Sequence, residues 1–195
     1  MNIECHNVTS DELARYREIS IGYCAKTRFR VDRSDRGLGG LPFVEENLSA
    51  EVWFDYDAQD EQGVFRWERR NLENWQIFYV VDSGIRVGGA VGARKTHDVN
   101  MLEDRDDLAC LWDLRVSVEH RGTGIGRKLV DAAKEWATEN GCIELKIETD
   151  TYNVLACRFY SAIGCELRTI RLNPDPDWPE EHQLLWYLEL NPPAS

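Results

Sequence analysis

The chain has 195 residues, of which 43% are hydrophobic, and it carries a formal net charge of −12. This length and apolar content suffice for one domain with a full core and are short for two, so we predict a single domain over residues 1–195. The acidic balance argues against nucleic acid and anionic membranes as partners. It suits a cationic ligand, although solubility alone also explains it.

The sequence contains no charged start followed by an apolar stretch, and no apolar run of about 18 residues. We therefore expect neither a secretory signal nor a membrane span. The six cysteines form no CxxC pair, which predicts reduced thiols in a cytoplasmic protein rather than a disulfide frame or a zinc site. The histidines are scattered without metal-ligand spacing, so no metal is expected.

The first predicted element is a helix with an N-cap within Thr9–Asp11 and an apolar face through Leu13, Tyr16 and Ile19. The segment 33–60 is irregular and acidic, and it predicts a loop with one helical turn or more. The Trp and Tyr residues between Trp53 and Tyr79, with the acids Asp55, Asp57, Asp60 and Glu61 among them, allow two interpretations. They form either a wall that binds a cation or a solvated acidic loop whose rings turn into the core.

Strands and helices alternate after residue 75, and the turn sequence "DSG" joins the first two strands as a hairpin. The alternating or helical spacing of apolar residues defines each element. The predicted elements are the strands Gln76–Val81, Arg86–Ala93 and Ala109–Val118, a helix from about Gly124 to Asn140, the strand Ile143–Thr149, the helix Asn153–Ile163, and the strands Cys165–Arg171 and Gln183–Leu190. Together they indicate one mixed α/β domain.

Three glycines stand at alternate positions in "RGTGIGRKLVDAAKEW", at the start of the predicted helix. The spacing does not fit a Walker loop or a dinucleotide fingerprint, and a kinase glycine loop joins two strands instead. Glycines let backbone N–H groups approach an anion, and a helix N-terminus adds roughly half a positive charge. Arg121 and Arg127 add full charges. The pattern predicts a phosphate site, with a tight turn that needs glycine only for its backbone as the alternative.

Two stretches resemble the GNAT superfamily of acyl-CoA-dependent N-acyltransferases. "LRVSVEHRGTGIGRKLV" is similar to the strand, pyrophosphate turn and helix of the family's acyl-CoA site. "LKIETDTYNVLACRFYSAIGCE" is similar to its strand and N-x-x-A-x-x-F-Y-x-x-x-G-F helix, with Cys165 in place of the last phenylalanine. The resemblance covers about Trp75 to Leu190. It implies a central mixed, mostly antiparallel sheet of six to seven strands, splayed at the acyl-CoA site and flanked by helices.

The resemblance implies acetyl-CoA as the co-substrate. Backbone amides of the glycine turn then hold the pyrophosphate, and the preceding strand pairs with the pantetheine amides beside a bulge. Asn153 steadies pantetheine, caps its own helix, or does both. The implied binding residues are Leu114, Arg115, Val116, Arg121, Gly122, Thr123, Gly124, Ile125, Gly126, Arg127 and Asn153.

Acyl transfer to an amine needs a base for the ammonium and an acid for the leaving thiolate. Tyr160 stands seven residues after Asn153, at the family's spacing for the acid, with a packed core tyrosine as the alternative. Glu148 matches a catalytic glutamate of some members, yet it also fits a solvated strand face. Asp113, next to Trp112, is the rival base because aromatic surroundings raise the pKa of a carboxyl group. A water relay without a side-chain base is the third possibility.

The predicted function is transfer of an acetyl group from acetyl-CoA to a primary amine of a small cationic molecule, directly within a ternary complex. Among the subfamilies, the arrangement of the chain and its terminal "HQLLWYLEL" look like streptothricin acetyltransferases. Two alternatives stay open: acetylation of a protein N-terminus or a polyamine, and a non-catalytic sensor that binds acyl-CoA. The sequence fits a monomer or a homodimer.

Overall fold

The computed structural model describes residues 1–32, 34–59, 62–172 and 180–190. Within them the chain forms two compact units. The first unit has the bounds Met1–Gly22, Asp55–Ile147 and Tyr187–Ser195, and the second has the bounds Tyr23–Phe54 and Glu148–Trp186. None of the helices in these residues is long and apolar enough to cross a membrane.

The regular elements of the described residues are nine strands and four α-helices. The strands are β1 (Asn2–Asn7), β2 (Tyr23–Val31), β3 (Phe43–Phe54), β4 (Trp75–Asp82), β5 (Ile85–Arg94), β6 (Leu108–Val116), β7 (Glu144–Asp150), β8 (Glu166–Arg171) and β9 (Gln183–Glu189). The helices are α1 (Ser10–Arg17), α2 (Tyr56–Gln59), α3 (Ile125–Glu139) and α4 (Val154–Ala162).

Seven strands form one sheet in the order β1-β4-β5-β6-β7-β9-β8, and β2 pairs with β3 in a separate ribbon. The pairs β1–β4, β4–β5 and β5–β6 are antiparallel, whereas β6 and β7 are parallel. This mixed, mostly antiparallel sheet confirms the fold expected from the resemblance.

Glycines of β5 let two helices pack closely on the sheet of the first unit. A Cβ at Gly88 would lie 2.7 Å from Ile125 of α3, and one at Gly92 would lie 2.8 Å from Trp136 of the same helix. A Cβ at Gly89 would lie 2.6 Å from Tyr16 of α1. Because side chains of adjacent strand residues point to opposite faces, α1 and α3 cover opposite faces of the sheet.

Most predicted elements are present within one or two residues of their expected bounds. Thr9 caps α1 by accepting a hydrogen bond from the Glu12 amide at 3.3 Å, and the hairpin forms as β4 and β5. Helix α3 ends before Gly141, which has φ +78°, and α4 ends before Gly164, which has φ +93°. These left-handed glycines close both helices in the way that the sequence indicates.

The loop predicted over residues 33–60 is wrong for its second half, which forms the 12-residue strand β3. Among the described residues the strand pairs with β2 alone, and most of its residues are exposed. Leu48, Val52 and Phe54 stand at alternate positions and pack with Tyr23 and Ala25 in a small core. This alternation covers only the second half of the strand, so the hydrophobic pattern does not reveal the whole element. Residues 33 and 60, at the limits of that prediction, lie outside the described residues.

Two further expectations need correction. The third predicted strand extends to Val118, whereas β6 ends at Val116. Val118 is exposed in a short 3-10 turn. The solvated strand face offered as the alternative for Glu148 is absent at Lys146, which lies two residues before Glu148 on the same strand and is fully buried. Its ammonium group lies 2.5 Å from Glu103, whose carboxylate also accepts the Tyr187 hydroxyl at 2.7 Å. This ion pair compensates for the burial of the charge.

The packing on β5 predicts the effect of adding one methyl group. We expect Gly89→Ala to lower the free energy of unfolding by about 1–3 kcal/mol, because fully buried Tyr16 must move. Chemical denaturation followed by far-UV circular dichroism measures the change. Ile85→Ala, on an exposed part of the same strand, is the control and should change stability by less than about 0.5 kcal/mol. Equal stability of Gly89→Ala and wild type would contradict the close packing.

Candidate active site

The turn between β6 and α3 leaves open space in front of its backbone. Gly122 and Gly124 have φ +76° and φ +88°, a conformation that residues with a side chain rarely adopt. A Cβ built on either glycine meets no heavy atom within 4 Å. The glycines therefore serve the backbone conformation and also keep side chains out of the space that the turn faces.

Helix α3 begins without a side-chain cap. Its first internal hydrogen bond runs from the Lys128 amide to the Gly124 carbonyl at 3.2 Å, and Gly124, the N-cap residue, offers no side chain to the amides that follow. In contrast, α1 and α4 are capped by Thr9 and Asn153. Uncapped amides at the positive end of a helix are the donors that bind phosphate groups in proteins.

Side chains of the turn fasten it to its surroundings within the first unit. The Arg121 guanidinium donates to the carbonyls of Val116 at 3.0 Å and Gly22 at 2.7 Å. Thr123 donates its hydroxyl to the His120 carbonyl at 2.6 Å. Burial lowers the pKa of Arg121 below its ordinary value. Arg121 therefore holds the turn in place, whereas Arg127 stays exposed on the first turn of α3.

Strand β6 has one paired edge and one edge that is paired only at its beginning. Its register with β5 runs as far as Val116, with a bulge that leaves Trp112 without a partner residue. Its register with β7 covers only Leu108 to Leu111. Among the described residues, the second edge of Leu114, Arg115 and Val116 therefore has no strand partner, and it can accept an extended ligand as an added strand.

The side chain of Asp113 is bound by two neighbours in the first unit. One carboxylate oxygen accepts the Tyr16 hydroxyl at 2.7 Å, and Arg115 donates to both oxygens at 2.9 and 3.1 Å. Burial, and next the Asp113 charge, hold the pKa of Tyr16 well above its ordinary value, so the phenol remains a donor. The aromatic neighbourhood expected around Asp113 is present, and it includes a buried arginine that the sequence did not indicate.

The other candidates, Glu148, Asn153 and Tyr160, belong to the second unit. Glu148 is exposed on β7, and the Asn153 side chain accepts the Ala156 amide at 3.1 Å as the N-cap of α4. The Tyr160 ring is buried between Phe159, with ring centroids 5.3 Å apart, and Trp186, at 6.4 Å. The core environment proposed as the alternative for Tyr160 is therefore present, and it does not decide the role of the hydroxyl.

Sequence reasoning missed Asp150, a buried carboxylate between Glu148 and Asn153. It accepts the backbone amides of Tyr152 at 2.7 Å and Asn153 at 3.0 Å, and so it shapes the start of α4. Asp150 was indistinguishable in the sequence from the exposed acids near it. Its position three residues before a helix N-cap was the only available signal.

The aromatic wall divides between core and surface. Trp67, Trp75 and Tyr79 pack in the core of the first unit, as the second interpretation held. Trp53 and Tyr56 remain exposed by 58% and 39%. Across the described residues, no group of three or more histidine, cysteine, aspartate or glutamate side chains is arranged to hold a metal ion.

An uncapped helix after a glycine turn, preceded by a bulged strand with an open edge, is the arrangement expected from the resemblance to acyl-CoA-dependent acyltransferases. The chain belongs to the Acetyltransferase (GNAT) family, whose characteristic sequence matches residues 43–165. It is therefore an acetyltransferase, and acetyl-CoA is the acetyl donor of its family.

Curated relatives and solved structures agree with this assignment. The streptothricin acetyltransferase of Escherichia coli is 35% identical over 156 residues, which cover 74% of this chain and 90% of that protein. The structure of a nourseothricin acetyltransferase superposes with a TM-score of 0.73 at 18% identity, covering 98% of this chain and 100% of the other. A Bacillus anthracis protein described as a streptothricin acetyltransferase, solved with acetyl coenzyme A, gives a TM-score of 0.73 at 20% identity over 98% and 99%.

The open space at Gly124 predicts that a side chain there blocks cofactor binding. We expect Gly124→Glu to abolish binding of acetyl-CoA in titration calorimetry. The added side chain would occupy the phosphate position, and its negative charge would repel the phosphate.

Gly141→Glu is the matched control for this variant. Gly141 also has positive φ and open space around it, but it lies at the other end of α3. The control therefore carries the same backbone strain and should keep wild-type affinity. Unchanged affinity in Gly124→Glu would remove the turn from the cofactor site.

Proposed function

We propose that the protein transfers the acetyl group of acetyl-CoA to a primary amine of a small cationic molecule of the streptothricin type. The observation that carries the proposal is the similarity to the Escherichia coli streptothricin acetyltransferase, which extends over 90% of that protein. The net charge of −12 supports a cationic acceptor, because an acidic protein attracts such a molecule over several ångströms.

Local charges add little to this choice of acceptor. The acids of the β2–β3 ribbon already face cations of the same unit: Glu46 binds Arg28 at 2.8 Å, and Glu51 binds Lys26 at 2.8 Å. Among the acids of the predicted wall, Asp57 is bound by Arg115. The support for a cationic acceptor therefore comes from the relatives and from the overall charge rather than from one acidic surface.

The donor binds, in this proposal, through backbone groups. The amides from Arg121 to Gly126 hold the pyrophosphate at the start of α3, and the open edge of Leu114 to Val116 pairs with the pantetheine amides. Arg127 adds a positive charge near the phosphates. Asn153 contacts pantetheine through its side-chain amide while its oxygen caps α4. The open space at the turn and the unpaired edge support this placement of the donor.

The transfer forms one C–N bond and breaks the C–S bond of the thioester. An ammonium acceptor gives up two protons in total, of which one ends on the CoA thiol and one in solvent. We assign protonation of the departing thiolate to Tyr160, since a phenol of pKa about 10 can donate to a thiolate of pKa about 8.5 at small cost.

We assign the first deprotonation of the ammonium to Glu148, directly or through water. Glu148 is exposed, and no side chain of the described residues binds its carboxylate. Both oxygens of Asp113, in contrast, accept hydrogen bonds from Arg115. A carboxylate that is already ion-paired with an arginine is a poorer proton acceptor than one that faces solvent.

Direct transfer in a ternary complex is favoured over an acetylated cysteine. Burial, and next the Asp150 charge, raise the pKa of Cys157 to about 12. Burial also raises the pKa of Cys142. Thiols of raised pKa carry almost no thiolate at neutral pH and are weak nucleophiles.

Three broader expectations become part of the proposal. The family match over residues 43–165 includes parts of both units, which supports one functional domain over the whole chain. The six free cysteines suit the reducing cytoplasm. The enzyme works on a small molecule as a monomer or homodimer.

A thiol-release assay with acetyl-CoA and a panel of amines tests the proposal. The panel contains streptothricin, free lysine, a polyamine and a peptide with a free N-terminus. We expect the highest kcat/KM with streptothricin. A higher kcat/KM with the polyamine or the peptide would identify that molecule as the acceptor instead of streptothricin. Tight CoA binding without turnover of any amine would indicate a sensor.

The assigned acid predicts a specific loss of rate. Tyr160→Phe keeps the ring and its packing and removes only the hydroxyl, so we expect kcat to fall about 10²- to 10⁴-fold with nearly unchanged acetyl-CoA affinity. Tyr187→Phe removes another buried hydroxyl, which binds Glu103, and it should keep the wild-type rate. A wild-type rate in Tyr160→Phe would return Tyr160 to a packing role.

The assigned base predicts a change in the pH–rate profile. A base must be deprotonated to act, so activity falls on the acidic side as the base gains its proton. We expect Glu148→Gln to lower kcat/KM for the amine and to shift or remove this acidic limb, while Asp113→Asn keeps it. Loss of the limb in Asp113→Asn alone would make Asp113 the base, and its persistence in both variants would favour an ordered water relay.

A further inference from the structure

The side chain of Arg115 is almost completely buried, with 2% of its surface exposed, and it binds two carboxylates at once. Its Nη1 and Nη2 atoms lie 2.5 and 3.2 Å from the two oxygens of Asp57. Its Nε and Nη2 atoms lie 2.9 and 3.1 Å from the two oxygens of Asp113. The guanidinium thus makes two bidentate contacts, the geometry in which arginine differs most from lysine.

The surrounding groups complete the hydrogen bonding of this cluster. Arg115 also donates to the Ile19 carbonyl at 3.3 Å, and its guanidinium carbon lies 4.9 Å from the Tyr16 ring centre. Burial is the largest single influence on the pKa of Arg115 and lowers it. The charge and hydrogen bonds of Asp113, together with Tyr16 and Asp57, outweigh burial and hold this pKa above its ordinary value, so the guanidinium stays charged. One buried arginine therefore joins β6, α2 and the end of α1 within the first unit.

A buried ion cluster of this kind is weak as a source of stability, because removing the charges from water costs about as much as their attraction returns. Well-packed apolar residues would hold the same elements together. The cluster is better explained by the geometry that it imposes, because two bidentate contacts fix the direction of the Arg115 side chain.

The position of the cluster on β6 indicates what is being fixed. The bulge at Trp112 shifts the pairing of β6 with β5 by one residue, and beyond it the side chains of Asp113 and Arg115 lie on the same face of the strand. A strand that follows a bulge and lacks a partner on one edge is free to bend. The cluster binds the side chains on one face of this part of β6 and leaves its unpaired backbone edge open.

We propose that Arg115 and Asp57, together with Asp113, are positioning residues that hold the open edge of β6 in the geometry that binds the pantetheine arm of acetyl-CoA. The inference rests on the proposed function, because it assumes that pantetheine pairs with Leu114 to Val116. It assigns the Arg115 side chain a role separate from that of its backbone. It also assigns Asp113 to the support of the strand.

The test separates the two ends of the donor. Acetyl-CoA carries the pantetheine arm, whereas 3′-phosphoadenosine 5′-diphosphate carries the phosphates and the nucleoside without it. For Asp57→Asn we expect acetyl-CoA affinity to fall about tenfold in calorimetry, the equivalent of one to two hydrogen bonds. Affinity for the nucleotide alone should stay at the wild-type value. We expect kcat to fall about 10²-fold, the cost of a displacement of about 1 Å at the reacting group.

Two further variants sharpen the experiment. Arg115→Lys keeps the positive charge and loses the bidentate contacts, so it should show the same changes in affinity and kcat as Asp57→Asn. If Arg115→Lys fails to fold, Asp57→Asn alone tests the proposal. Asp107→Asn is the control, since Asp107 shares Arg105 with Glu144 just before β6, and it should change neither affinity.

Two results would overturn the proposal. A purely structural role would weaken both ligands equally or only lower the melting temperature, and an unchanged acetyl-CoA affinity would remove the role altogether. If the wild-type protein bound acetyl-CoA no more tightly than the nucleotide alone, the pantetheine arm would contribute no affinity, and the proposed donor site itself would be contradicted. That outcome is distinct from equal weakening in the variants.

Discussion

The close contact of helix α3 with strand β5 is the constraint on which the donor side of this protein depends. Gly88 pairs with Val116, the last residue of β6, and a Cβ at Gly88 would lie 2.7 Å from Ile125, the first residue of α3. One missing side chain thus brings the end of a strand and the start of a helix to the same place. The intervening turn must reverse within a few residues, which requires its left-handed glycines. The helix N-terminus that results faces open space beside the open edge of β6.

Much of this arrangement could be predicted, because its signals are local. A glycine that needs positive φ, an apolar stripe at helical spacing and a cap residue each act over a few residues, so "RGTGIGRKLV" indicated the turn and the helix, on which the proposed phosphate site rests. Asn153 was likewise expected to cap α4, and it does. The resemblance to a known family added the seven-stranded sheet, which no single stretch of the sequence defines.

The features that escaped prediction depend on residues far apart in the chain. The guanidinium of Arg115 meets Asp57 across 58 positions, and Lys146 meets Glu103 across 43. Both cations alternate with apolar residues on their strands, which is also the pattern of a solvated face. Whether such a charge is buried depends on a partner that the local pattern does not reveal. Strand β3 escaped for another reason: its apolar residues alternate only from Leu48 to Phe54, and its first residues, FVEEN, show no alternation.

The missing cap on α3 has a consequence for the protein when no donor is bound. The amides that a serine or aspartate would satisfy in another helix must there be satisfied by water, so the first turn of α3 lacks a stabilising contact worth roughly a few tenths of a kcal/mol beside a glycine N-cap. A ligand that binds these amides in the folded state alone restores it and shifts the folding equilibrium by mass action, by about 2.7 kcal/mol at a concentration of a hundred times Kd. The resistance of this enzyme to unfolding and proteolysis is therefore tied to the metabolic supply of its acetyl donor.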